Sequence, residues 1–300
     1  RIKILVRAMT PEVFAEKVDA EWETLKNGQG TLTDAEIERV KSHFTIPQYE
    51  NFNSHISEID DRIADNSGFS NWLKQNVKPH KQNGYCIVNL AMKQTGTPPG
   101  DITDEQLEVV ADLADKYSFG EVRVTHEQNL TFADVPKTLL FDLWQELVKS
   151  ELATPNLGLL TDIICCPGGD YCSLANAKSI PVAEAIQNQF EDLDYLHDLG
   201  NLDINISGCM NACGHHHVGN IGILGVDKKG KEFYQVSIGG SSYQDASLAK
   251  ILGPSFAQEE IPLVIQRLVD VHLEKREEGE RFLDTYRRIG IAPYKHAVYA

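Results

Sequence analysis

Cysteine is the residue type in this sequence whose spacing most clearly indicates chemistry. The chain has 6 cysteines, and five of them fall within positions 165–213. Four of these form two pairs, Cys166-x5-Cys172 and Cys209-x3-Cys213. Four thiolates are the usual ligand set of a [4Fe–4S] cluster, whereas structural zinc takes ligands two to four residues apart within each pair. Only the second pair lies in the zinc range, so the spacing favours a cluster over zinc.

Glycine residues accompany both cysteine pairs. Gly168 and Gly169 lie inside the first pair, and Gly208 and Gly214 flank the second. A residue without a Cβ lets the backbone fold closely around a bulky inorganic core and lets its amides turn towards the cluster sulfides. The two segments are therefore predicted to be loops around one metal centre.

Two further cysteines lie outside these pairs. Cys165 adjoins Cys166, and neighbouring side chains of an extended segment point in opposite directions. Sequence position alone does not decide which of the two cysteines faces the metal. The cysteine that does not face it is interpreted as a packed thiol. Cys86 lies in the apolar segment 84–90, which is typical of a strand, and we interpret it as a small buried hydrophobic residue.

A histidine triplet, His215-His216-His217, follows the second pair. Three consecutive histidines cannot converge on one ion from regular structure. We therefore interpret the triplet as a polar segment that lines a cofactor pocket or that hydrogen-bonds to the metal-binding residues without binding the metal. The segment Gly239-Gly240-Ser241-Ser242 lacks the lysine of a phosphate-binding P-loop. It indicates a tight turn after a strand, with a close backbone approach to a ligand as the alternative.

Hydrophobic periodicity and capping signals predict the elements that must position these loops. The clearest segment is 79–153, which has the order β-α-β-α. Its predicted elements are a strand over 85–92, a helix opened by the capping box Thr103-x-x-Gln106, a strand over 121–132 and a helix over 136–152. Such a half-layer needs a partner layer or a pseudo-symmetric copy to cover its apolar face.

The first 78 residues are predicted to be largely helical. One helix begins at Thr10-Pro11, where proline needs no amide partner, and another begins at a capping box at Thr33. Apolar residues share one face of the first helix: Phe14, Val18, Trp22 and Leu25. Residues 45–78 are predicted to be polar and irregular. The segment lacks a complete core of its own and is interpreted as the tail of a larger, preceding domain.

The part of the chain after the cysteine pairs is predicted to continue the same domain. Strands are predicted over 218–226 and 232–238, joined by a hairpin turn at 227–230. A helix is predicted over 259–276, and the charged stretch 277–300 is predicted to lie on the surface.

Composition and charge exclude several classes of protein. With 300 residues, of which 42% are hydrophobic, the chain is an ordinary globular protein with room for about two domains. The formal net charge of −16 argues against general nucleic-acid binding, and an anionic substrate would need a local basic cluster or another chain. No segment approaches the ~20 apolar residues of a membrane span, and no signal peptide opens the chain. Because the sequence begins with Arg1 and not with Met, we expect the chain to be a fragment or a processed product.

Two motifs resemble one known family. Cys166-x5-Cys172, together with Asn205-Ile-Ser-Gly-Cys-Met-Asn-Ala-Cys-Gly214, resembles the sirohaem and [4Fe–4S] site of assimilatory sulfite and nitrite reductases. Arg123-Val-Thr-His-Glu-Gln-Asn-Leu130 resembles the strand motif in the ferredoxin-like half of that family. The two motifs occur in the family's order across residues ~80–250. The histidine triplet is similar to that of the bacterial nitrite/sulfite reductase branch.

The resemblance implies an α+β fold that forms the second half of a pseudo-symmetric reductase. Residues 79–153 would be its ferredoxin-like β-α-β-α half-domain, and residues 154–300 a mixed α/β domain that binds sirohaem and the [4Fe–4S] cluster. Residues 1–78 would be the helical tail of the sirohaem domain in the first half.

The same resemblance implies the ligands of both cofactors. The cluster would be bound by four thiols, those of Cys166, Cys172, Cys209 and Cys213. Cys213 would also be the axial ligand of the sirohaem iron, and a thiolate shared by two metal centres would couple them. Asn211, between the last two ligands, would border the macrocycle.

The strand motif implies a second group of cofactor contacts. Arg123, Thr125, Gln128 and Asn129 would contact the sirohaem carboxylates or the wall of the site. For Arg123, the alternative is a charge on the surface of the strand.

The implied activity is the six-electron reduction of sulfite to sulfide or of nitrite to ammonia in the cytoplasm, with a ferredoxin or a flavoprotein as electron donor. The segment 165–213 contains one basic residue besides histidine, Lys178. The arginines and lysines that bind the oxyanion are therefore expected in an absent N-terminal half of the same polypeptide, and the chain alone is expected to be inactive. The alternatives are a non-catalytic [4Fe–4S] electron-transfer protein and a structural zinc protein.

Overall fold

The computed structural model describes residues 2–50 and 62–300, and the chain divides into two compact units, 1–50 and 51–300. The first unit is helical, as predicted. Its elements are α1 (Ile2–Met9), α2 (Pro11–Leu25) and α3 (Asp34–Lys41).

Both predicted helix starts in the first unit are confirmed. Pro11 is the first residue of α2, although the Thr10 side chain caps no backbone N–H. The Thr33 hydroxyl accepts a hydrogen bond from the Glu36 N–H at 3.2 Å and so caps α3. The three helices bury no residue, and Trp22 on the predicted apolar face of α2 is 58% exposed. Within residues 2–50, the expectation of an incomplete core is confirmed.

The second unit begins with an antiparallel sheet and its helices. In chain order these are α4 (Ser67–Asn76), β1 (Val77–Pro79), β2 (Tyr85–Leu90), α5 (Asp104–Tyr117), β3 (Arg123–Val124), β4 (Leu130–Pro136) and α6 (Leu140–Lys149). The strand order is β1-β2-β4-β3, and every pair is antiparallel. The helices cover one core, which includes Val88, Leu90, Phe132, Leu143 and Leu147.

The predicted single strand over 121–132 is wrong. The chain forms two short strands instead, because it turns back over residues 125–129 so that β3 pairs antiparallel with β4. The Thr125 N–H donates to the Asn129 carbonyl at 2.9 Å and closes this turn. Val122 and Val124 before the turn and Leu130 and Phe132 after it all fall on even positions, so the alternation stays in phase across the turn and concealed the break.

The prediction that residues 45–78 are irregular is wrong for α4. Asn66 acts as the N-cap of this helix and does not break it, because its Oδ1 accepts a hydrogen bond from the Phe69 N–H at 2.9 Å. Phe69 and Trp72 are fully buried in the core of the antiparallel sheet. Residues 51–61 of the predicted segment lie outside the described residues.

Two other local predictions for this sheet are confirmed. The Thr103 hydroxyl accepts from the Gln106 N–H at 3.1 Å while the Gln106 Oε1 accepts from the Thr103 N–H at 3.2 Å, which completes the capping box of α5. Cys86 on β2 is 2% exposed, and burial raises the pKa of its thiol to about 12. Its thiol donates to the Val135 carbonyl at 3.3 Å, as suits a packed side chain.

The rest of the second unit is built around a mixed five-stranded sheet. Its elements are β5 (Ile164–Cys165), α7 (Gly168–Tyr171), α8 (Ile180–Gln189), α9 (Leu193–Leu199), β6 (Ile204–Ser207), β7 (Ile221–Lys228), β8 (Lys231–Ile238), β9 (Lys250–Ile251), α10 (Ile261–Lys275), α11 (Phe282–Ile289) and α12 (Ala292–Tyr299). The strand order is β5-β6-β7-β8-β9. β5, β6 and β7 are parallel, whereas β7, β8 and β9 are antiparallel.

The hairpin predicted in this part is confirmed. β7 and β8 pair over their whole length, and the turn between them is formed by Lys229 and Gly230, with φ of 58° and 79°. Two central residues with positive φ give the turn type whose twist matches that of the flanking strands.

The prediction that residues 277–300 lie on the surface is wrong. They form α11 and α12, which bury Phe282, Tyr286 and Tyr294 in the core of the mixed sheet. The charged residues between them face outward and are paired; for example, Arg288 contacts Glu280 at 2.6 Å. The high charge therefore covers only one side of each helix.

The architecture is α+β, as predicted, with an antiparallel sheet followed by a mixed sheet. In residues 2–50 and 62–300, no helix is both long enough and apolar enough to cross a membrane.

Candidate cofactor site

Both cysteine pairs begin at the same edge of the mixed sheet. β5 ends at Cys165 and β6 ends at Ser207, and the two strands are parallel neighbours in which Cys165 pairs with Ile206. The carboxyl ends of neighbouring parallel strands meet at one edge, where ligands bind in open α/β sheets. Cys166 and Cys209 each lie just beyond their strand, so the sheet itself brings the two pairs together.

The two cysteine loops are also hydrogen-bonded to each other. The Gly208 N–H donates to the Cys166 Sγ at 3.1 Å, and the Gly208 carbonyl accepts from the N–H groups of Asn176 and Ala177 at 2.8 and 3.1 Å. A Cβ on Gly208 would lie 2.6 Å from the Ala177 carbonyl oxygen and 2.8 Å from the Gly168 Cα. Glycine is therefore required for the close approach of the loops.

The structure distinguishes the two adjacent cysteines. Cys165 is 4% exposed and belongs to the hydrophobic core of the mixed sheet, and burial raises the pKa of its thiol far above the ordinary range. Cys166 is half-buried, and its Sγ accepts the backbone hydrogen bond from Gly208. Such hydrogen bonds to sulfur are among the contacts that tune iron–sulfur clusters. Cys166 thus faces the second loop, and Cys165 is the packed thiol.

The second pair lies on a turn that follows β6. Cys209 is buried, whereas Cys213 is exposed, and Asn211 between them is half-buried. The Ser207 Oγ accepts from the Gly214 N–H at 3.1 Å. A Cβ on Gly214 would lie 1.9 Å from a carbonyl oxygen of β6, so the turn packs tightly against the strand that carries it.

The donor set of the loops fits a [4Fe–4S] cluster in its chemistry. All six cysteines are free thiols, and four of them lie on the two loops. Within residues 2–50 and 62–300, no three His, Cys, Asp or Glu side chains, the loop thiols included, are grouped closely enough to hold a metal ion. The fit to a cluster therefore rests on the type and number of the donors, four soft thiols on two adjacent, glycine-containing loops.

A cavity of about 410 Å³ adjoins the second cysteine loop. Its volume lies within the range of small-molecule and cofactor pockets. Cys213, His215 and Asn205 line it from the side of the mixed sheet. From the antiparallel sheet and its turn it is lined by Lys78, Asn89, His126 and Glu127. The two parts of the second unit thus enclose a space with a cysteine on its wall.

The cavity wall carries three carboxylates, those of Asp203, Asp162 and Glu127. Burial, followed by repulsion from the other two carboxylates, raises the pKa of Asp203 to about 7. Among the described lining residues, the basic groups are one lysine and two histidines. The wall is therefore not arranged to hold a small anion.

Lys93 supports this wall and was missed in the sequence. Its side chain is fully buried, and its Nζ donates to the Asp162 Oδ1 at 3.0 Å and to the Glu127 carbonyl at 2.7 Å. Asp162 also accepts from the Gly158 N–H at 2.9 Å and from the Asn129 Nδ2 at 3.2 Å. The partners of Lys93 are 34 and 69 positions away along the chain, so no local pattern points to the network.

None of the four residues predicted from the strand motif lines the cavity. Their turn contributes His126 and Glu127 to the cavity wall instead. Arg123 is exposed and pairs with Glu121, which agrees with the alternative of a surface charge. The Thr125 Oγ1 accepts from the Asn129 N–H at 3.1 Å and stabilises the turn.

The side-chain amides of Gln128 and Asn129 are engaged by protein atoms. The Gln128 Oε1 accepts from the Cys165 N–H and its Nε2 donates to the Cys165 carbonyl, both at 2.8 Å. Asn129 is 2% exposed; its Oδ1 accepts from the Met92 N–H at 3.0 Å, and its Nδ2 donates to Asp162. A direct contact of either amide with sirohaem would break these bonds, so the two residues are better explained as supports of the wall.

The histidine triplet divides into two roles. His215 lines the cavity, as the interpretation expects. His216 is 5% exposed and stacks on His217 with ring centroids 4.0 Å apart. Burial and the neighbouring His217 lower the pKa of His216 to about 4. A Cβ on Gly222 would lie 1.9 Å from the His216 carbonyl oxygen, so this part of the triplet is packed on β7.

The predicted tight turn at residues 239–242 is wrong, because the chain runs on through Gly239 and Gly240 to Ser241, which pairs antiparallel with Ser247, and it turns at residues 244–245. Gly239 has a φ of 89°, and a Cβ on it would lie 2.1 Å from the ring of Tyr286. The close approach that requires glycine is thus made by a side chain of α11.

Two sequence models from one protein family cover most of the second unit. Residues 79–150 match the nitrite/sulfite reductase ferredoxin-like half domain, and residues 159–300 match the nitrite and sulphite reductase 4Fe-4S domain. The chain belongs to the nitrite and sulfite reductase haemoprotein family. The cofactors of this reductase family are a [4Fe–4S] cluster and sirohaem, and both motifs that carried the resemblance lie inside the matched residues.

The relatives include reductases of both substrates. The chain is 32% identical to the ferredoxin–nitrite reductase of Synechococcus elongatus over 206 residues, which are 66% of this chain and 39% of that protein. It is 29% identical to the sulfite reductase (ferredoxin) of Mycobacterium tuberculosis over 193 residues, 61% of this chain and 35% of that protein. The matched residues thus span less than two fifths of the length of these reductases.

Two solved structures share the fold. The NirA protein of Mycobacterium tuberculosis superposes with a TM-score of 0.61 over 98% of this chain and 48% of that chain, at 23% identity. Dissimilatory sulfite reductase I superposes with a TM-score of 0.58 over 71% of this chain and 69% of that chain, at 14% identity. At these identities the likeness concerns the fold alone, and the predicted α+β fold is confirmed.

Proposed function

We propose that Cys166, Cys172, Cys209 and Cys213 hold the [4Fe–4S] cluster of this reductase. In support, both loops leave the same edge of the mixed sheet, and the Gly208 N–H of one loop donates to the Cys166 Sγ of the other at 3.1 Å. All four cysteines also lie within the residues that match the family's 4Fe-4S domain.

We further propose that sirohaem binds in the cavity beside Cys213, whose thiolate would bind both the cluster and the sirohaem iron. One observation carries this proposal: Cys213 belongs to the second cysteine loop and also lines the cavity of about 410 Å³. On this proposal Asn211 borders the macrocycle. A sirohaem coupled to a cluster supplies electrons one at a time to a bound oxyanion, so the six-electron chemistry can proceed in steps.

The proposed reaction of the whole protein is the reduction of nitrite to ammonia or of sulfite to sulfide. The relatives at 32% and 29% identity are named as a nitrite and a sulfite reductase, and both names include ferredoxin. A ferredoxin is therefore the proposed donor, with a flavoprotein as the alternative. Because all six cysteines are free thiols, we propose that the protein works in a reducing compartment, the cytoplasm.

We propose that the oxyanion is bound by residues outside this chain, which would be inactive by itself. The described cavity wall sets Lys78 and two histidines against three carboxylates, so the cations that pair with the oxyanion and with the carboxylates of sirohaem are both proposed to come from outside this chain, while Cys213 supplies the bond to the sirohaem iron. Since the matched span is 39% of the nitrite reductase relative, the missing arginines and lysines are proposed to lie in an N-terminal half.

The test is anaerobic reconstitution of the 300-residue chain with iron, sulfide and sirohaem. We expect about five irons per chain, four in the cluster and one in sirohaem, and the Soret and red absorption bands of bound sirohaem. Cys213→Ser is expected to lose both cofactors, because that residue belongs to the loop and to the cavity. Cys86→Ala, at a buried thiol on β2 away from the loops, is the matched control and is expected to keep both.

A different experimental result would refute each part of the proposal. A broad iron–sulfur shoulder without a Soret band would refute the sirohaem site and indicate a non-catalytic electron-transfer protein. Zinc bound in preference to iron would refute the cluster. Nitrite- or sulfite-dependent oxidation of a reduced dye by the loaded 300-residue chain would refute the inactivity of the chain alone.

A further inference from the structure

Gln128 pairs with the backbone of the residue that precedes a proposed cluster ligand. Its Oε1 accepts from the Cys165 N–H and its Nε2 donates to the Cys165 carbonyl, both at 2.8 Å. This two-point bonding is the pattern that a neighbouring strand would offer to β5, which lies at the edge of the sheet and contains only Ile164 and Cys165. The next residue along the chain is Cys166.

The backbone of the turn between β3 and β4 directs the Gln128 side chain towards Cys165. Gln128 has a φ of 60°, a conformation that is uncommon for residues with a side chain. A Cβ on Gly100 would lie 3.2 Å from the Gln128 Cβ, so glycine at position 100 leaves room for the amide. Glycine at position 128 would relieve the backbone, yet the chain carries a long amide there. Backbone strain retained in this way points to a use for the side chain.

The amide also joins two parts of the second unit. Gln128 belongs to the turn between β3 and β4 of the antiparallel sheet, and Cys165 belongs to the mixed sheet, 37 positions along the chain. On one side, β5 pairs with β6 through Ile164 and Cys165, and the Cys166 N–H continues this pairing by donating to the Ile206 carbonyl at 3.1 Å. The other side of β5 is the edge of the sheet, and there the Gln128 amide takes up both backbone groups of Cys165.

From this geometry we infer that Gln128 is a positioning residue for the cluster: its amide fixes where Cys166 leaves β5. The inference rests on the proposed function, because it requires that Cys166 be a ligand. Groups that orient metal ligands without touching the metal commonly change metal affinity by about 10- to 100-fold when they are removed.

Two substitutions in the full chain test the inference. Gln128→Gly removes the amide and also relieves the positive φ, so the variant is expected to fold. Gln128→Asn keeps an amide and tolerates the left-handed backbone, but it is one methylene too short to reach both Cys165 atoms. The matched control is Gln189→Ala, whose amide donates to the Pro262 carbonyl at 3.3 Å on the helical side of the mixed sheet.

The readouts are the rate at which an anaerobic chelator removes iron from the loaded chain, the midpoint potential of the cluster, and hydrogen exchange at the Cys165 amide. Both Gln128 variants are expected to lose iron about 10-fold faster than the wild type, with a shifted potential. Exchange at Cys165 should accelerate, because the amide loses its acceptor. The Gln189→Ala chain should match the wild type in all three measurements.

The contrary outcomes separate this inference from the proposed function. If the wild type loads and both Gln128 variants keep its iron-loss rate and potential, the inference is overturned and the cluster proposal stands. Faster exchange at Cys165 with an unchanged cluster would show a purely structural role and would overturn the inference as well. A wild-type chain that binds no cluster would overturn the proposed function, and the inference with it.

Discussion

Lys93 and Asp162 form an ion pair in the interior of the second unit, with the Nζ and Oδ1 atoms 3.0 Å apart and side chains only 0% and 9% exposed. Lys93 follows β2 and Asp162 precedes β5, so the pair ties the antiparallel sheet to the segment that leads to the first cysteine loop. Because Asp162 also lines the cavity, the pair links the stability of the fold to the shape of the proposed cofactor site.

Replacing Lys93 by methionine should lower the free energy of unfolding by about 3–5 kcal/mol, because the substitution leaves the Asp162 carboxylate buried without a cation. The measurement is urea unfolding followed by tryptophan fluorescence. The double variant Lys93→Met, Asp162→Asn should recover part of the loss, since a neutral amide does not need the cation.

Lys149→Met is the matched control for this prediction. Lys149 contacts Glu146 at 3.4 Å with its side chain 68% exposed, so the loss should be no more than about 1 kcal/mol. An equal loss in the two lysine variants would contradict the assigned importance of the buried pair.

Asp203 should make the chain less stable as the pH rises. Its folded pKa is raised to about 7, whereas an unfolded aspartate titrates near 3.9. The folded state therefore binds the proton more tightly, and the stability that this group contributes is complete below about pH 4 and is lost as the pH rises through 7. Asp203→Asn should flatten this part of the profile, which urea midpoints at pH 5 and pH 8 would measure.

The exposed Asp112 on α5 offers the control, since Asp112→Asn should leave the difference between the two urea midpoints unchanged. The prediction compares the pH dependence of the urea midpoint in each variant with that of the wild type. The contributions of the other titrating groups are the same in both and cancel. Identical pH profiles for Asp203→Asn and the wild type would show that the carboxylate is not held protonated.

His272 should make the chain less stable in acid. It is fully buried on α10 and shares a hydrogen bond with the Thr285 hydroxyl at 3.0 Å, and burial lowers its pKa to about 4. An unfolded histidine titrates near 6.5, so the contribution of the neutral ring is present above pH 6.5 and is lost as the pH falls through 4. His272→Leu should weaken the acid dependence measured by thermal melts between pH 7 and pH 4.

The exposed His296 on α12 is the matched position, and His296→Leu should keep the wild-type slope. Should His272→Leu also keep that slope, the acid dependence would have to come from other groups.

Gly214→Ala should disturb the second cysteine loop. The added Cβ would lie 1.9 Å from the Ile206 carbonyl oxygen, and overpacking of this kind costs about 1–3 kcal/mol. Lower unfolding midpoints and weaker retention of iron after reconstitution are both expected. Gly30→Ala, where no atom lies within 4 Å of the added carbon, is the control and should melt like the wild type. Wild-type behaviour of Gly214→Ala would mean that the turn can move away from β6.

Local features of the sequence predicted the parts of the site that are local in the chain. The two cysteine loops follow from pair spacing and flanking glycines, and the Thr103 capping box marks α5 correctly. The choice between Cys165 and Cys166 needed the structure, because it depends on which thiol enters the core of the mixed sheet.

Features that depend on distant parts of the chain could not be predicted. The partners of Lys93 come from a turn and a loop that no spacing rule connects to it. The surface prediction for 277–300 failed because charge dominates the composition, although Phe282 and Tyr286 lie four residues apart and share the inner face of α11. Mean polarity over a window conceals such a narrow apolar stripe.

The contact between Gly239 and Tyr286 has a consequence for the order in which the site can form. Tyr286, Phe282 and Tyr294 belong to the core of the sheet that carries the cysteine loops, and they follow Cys213 by more than 60 positions along the chain. During synthesis the proposed ligands therefore emerge before the aromatic side chains that complete the core of their sheet. We expect iron, sulfide and sirohaem to be acquired after residues 282–294 have packed on the sheet and not before.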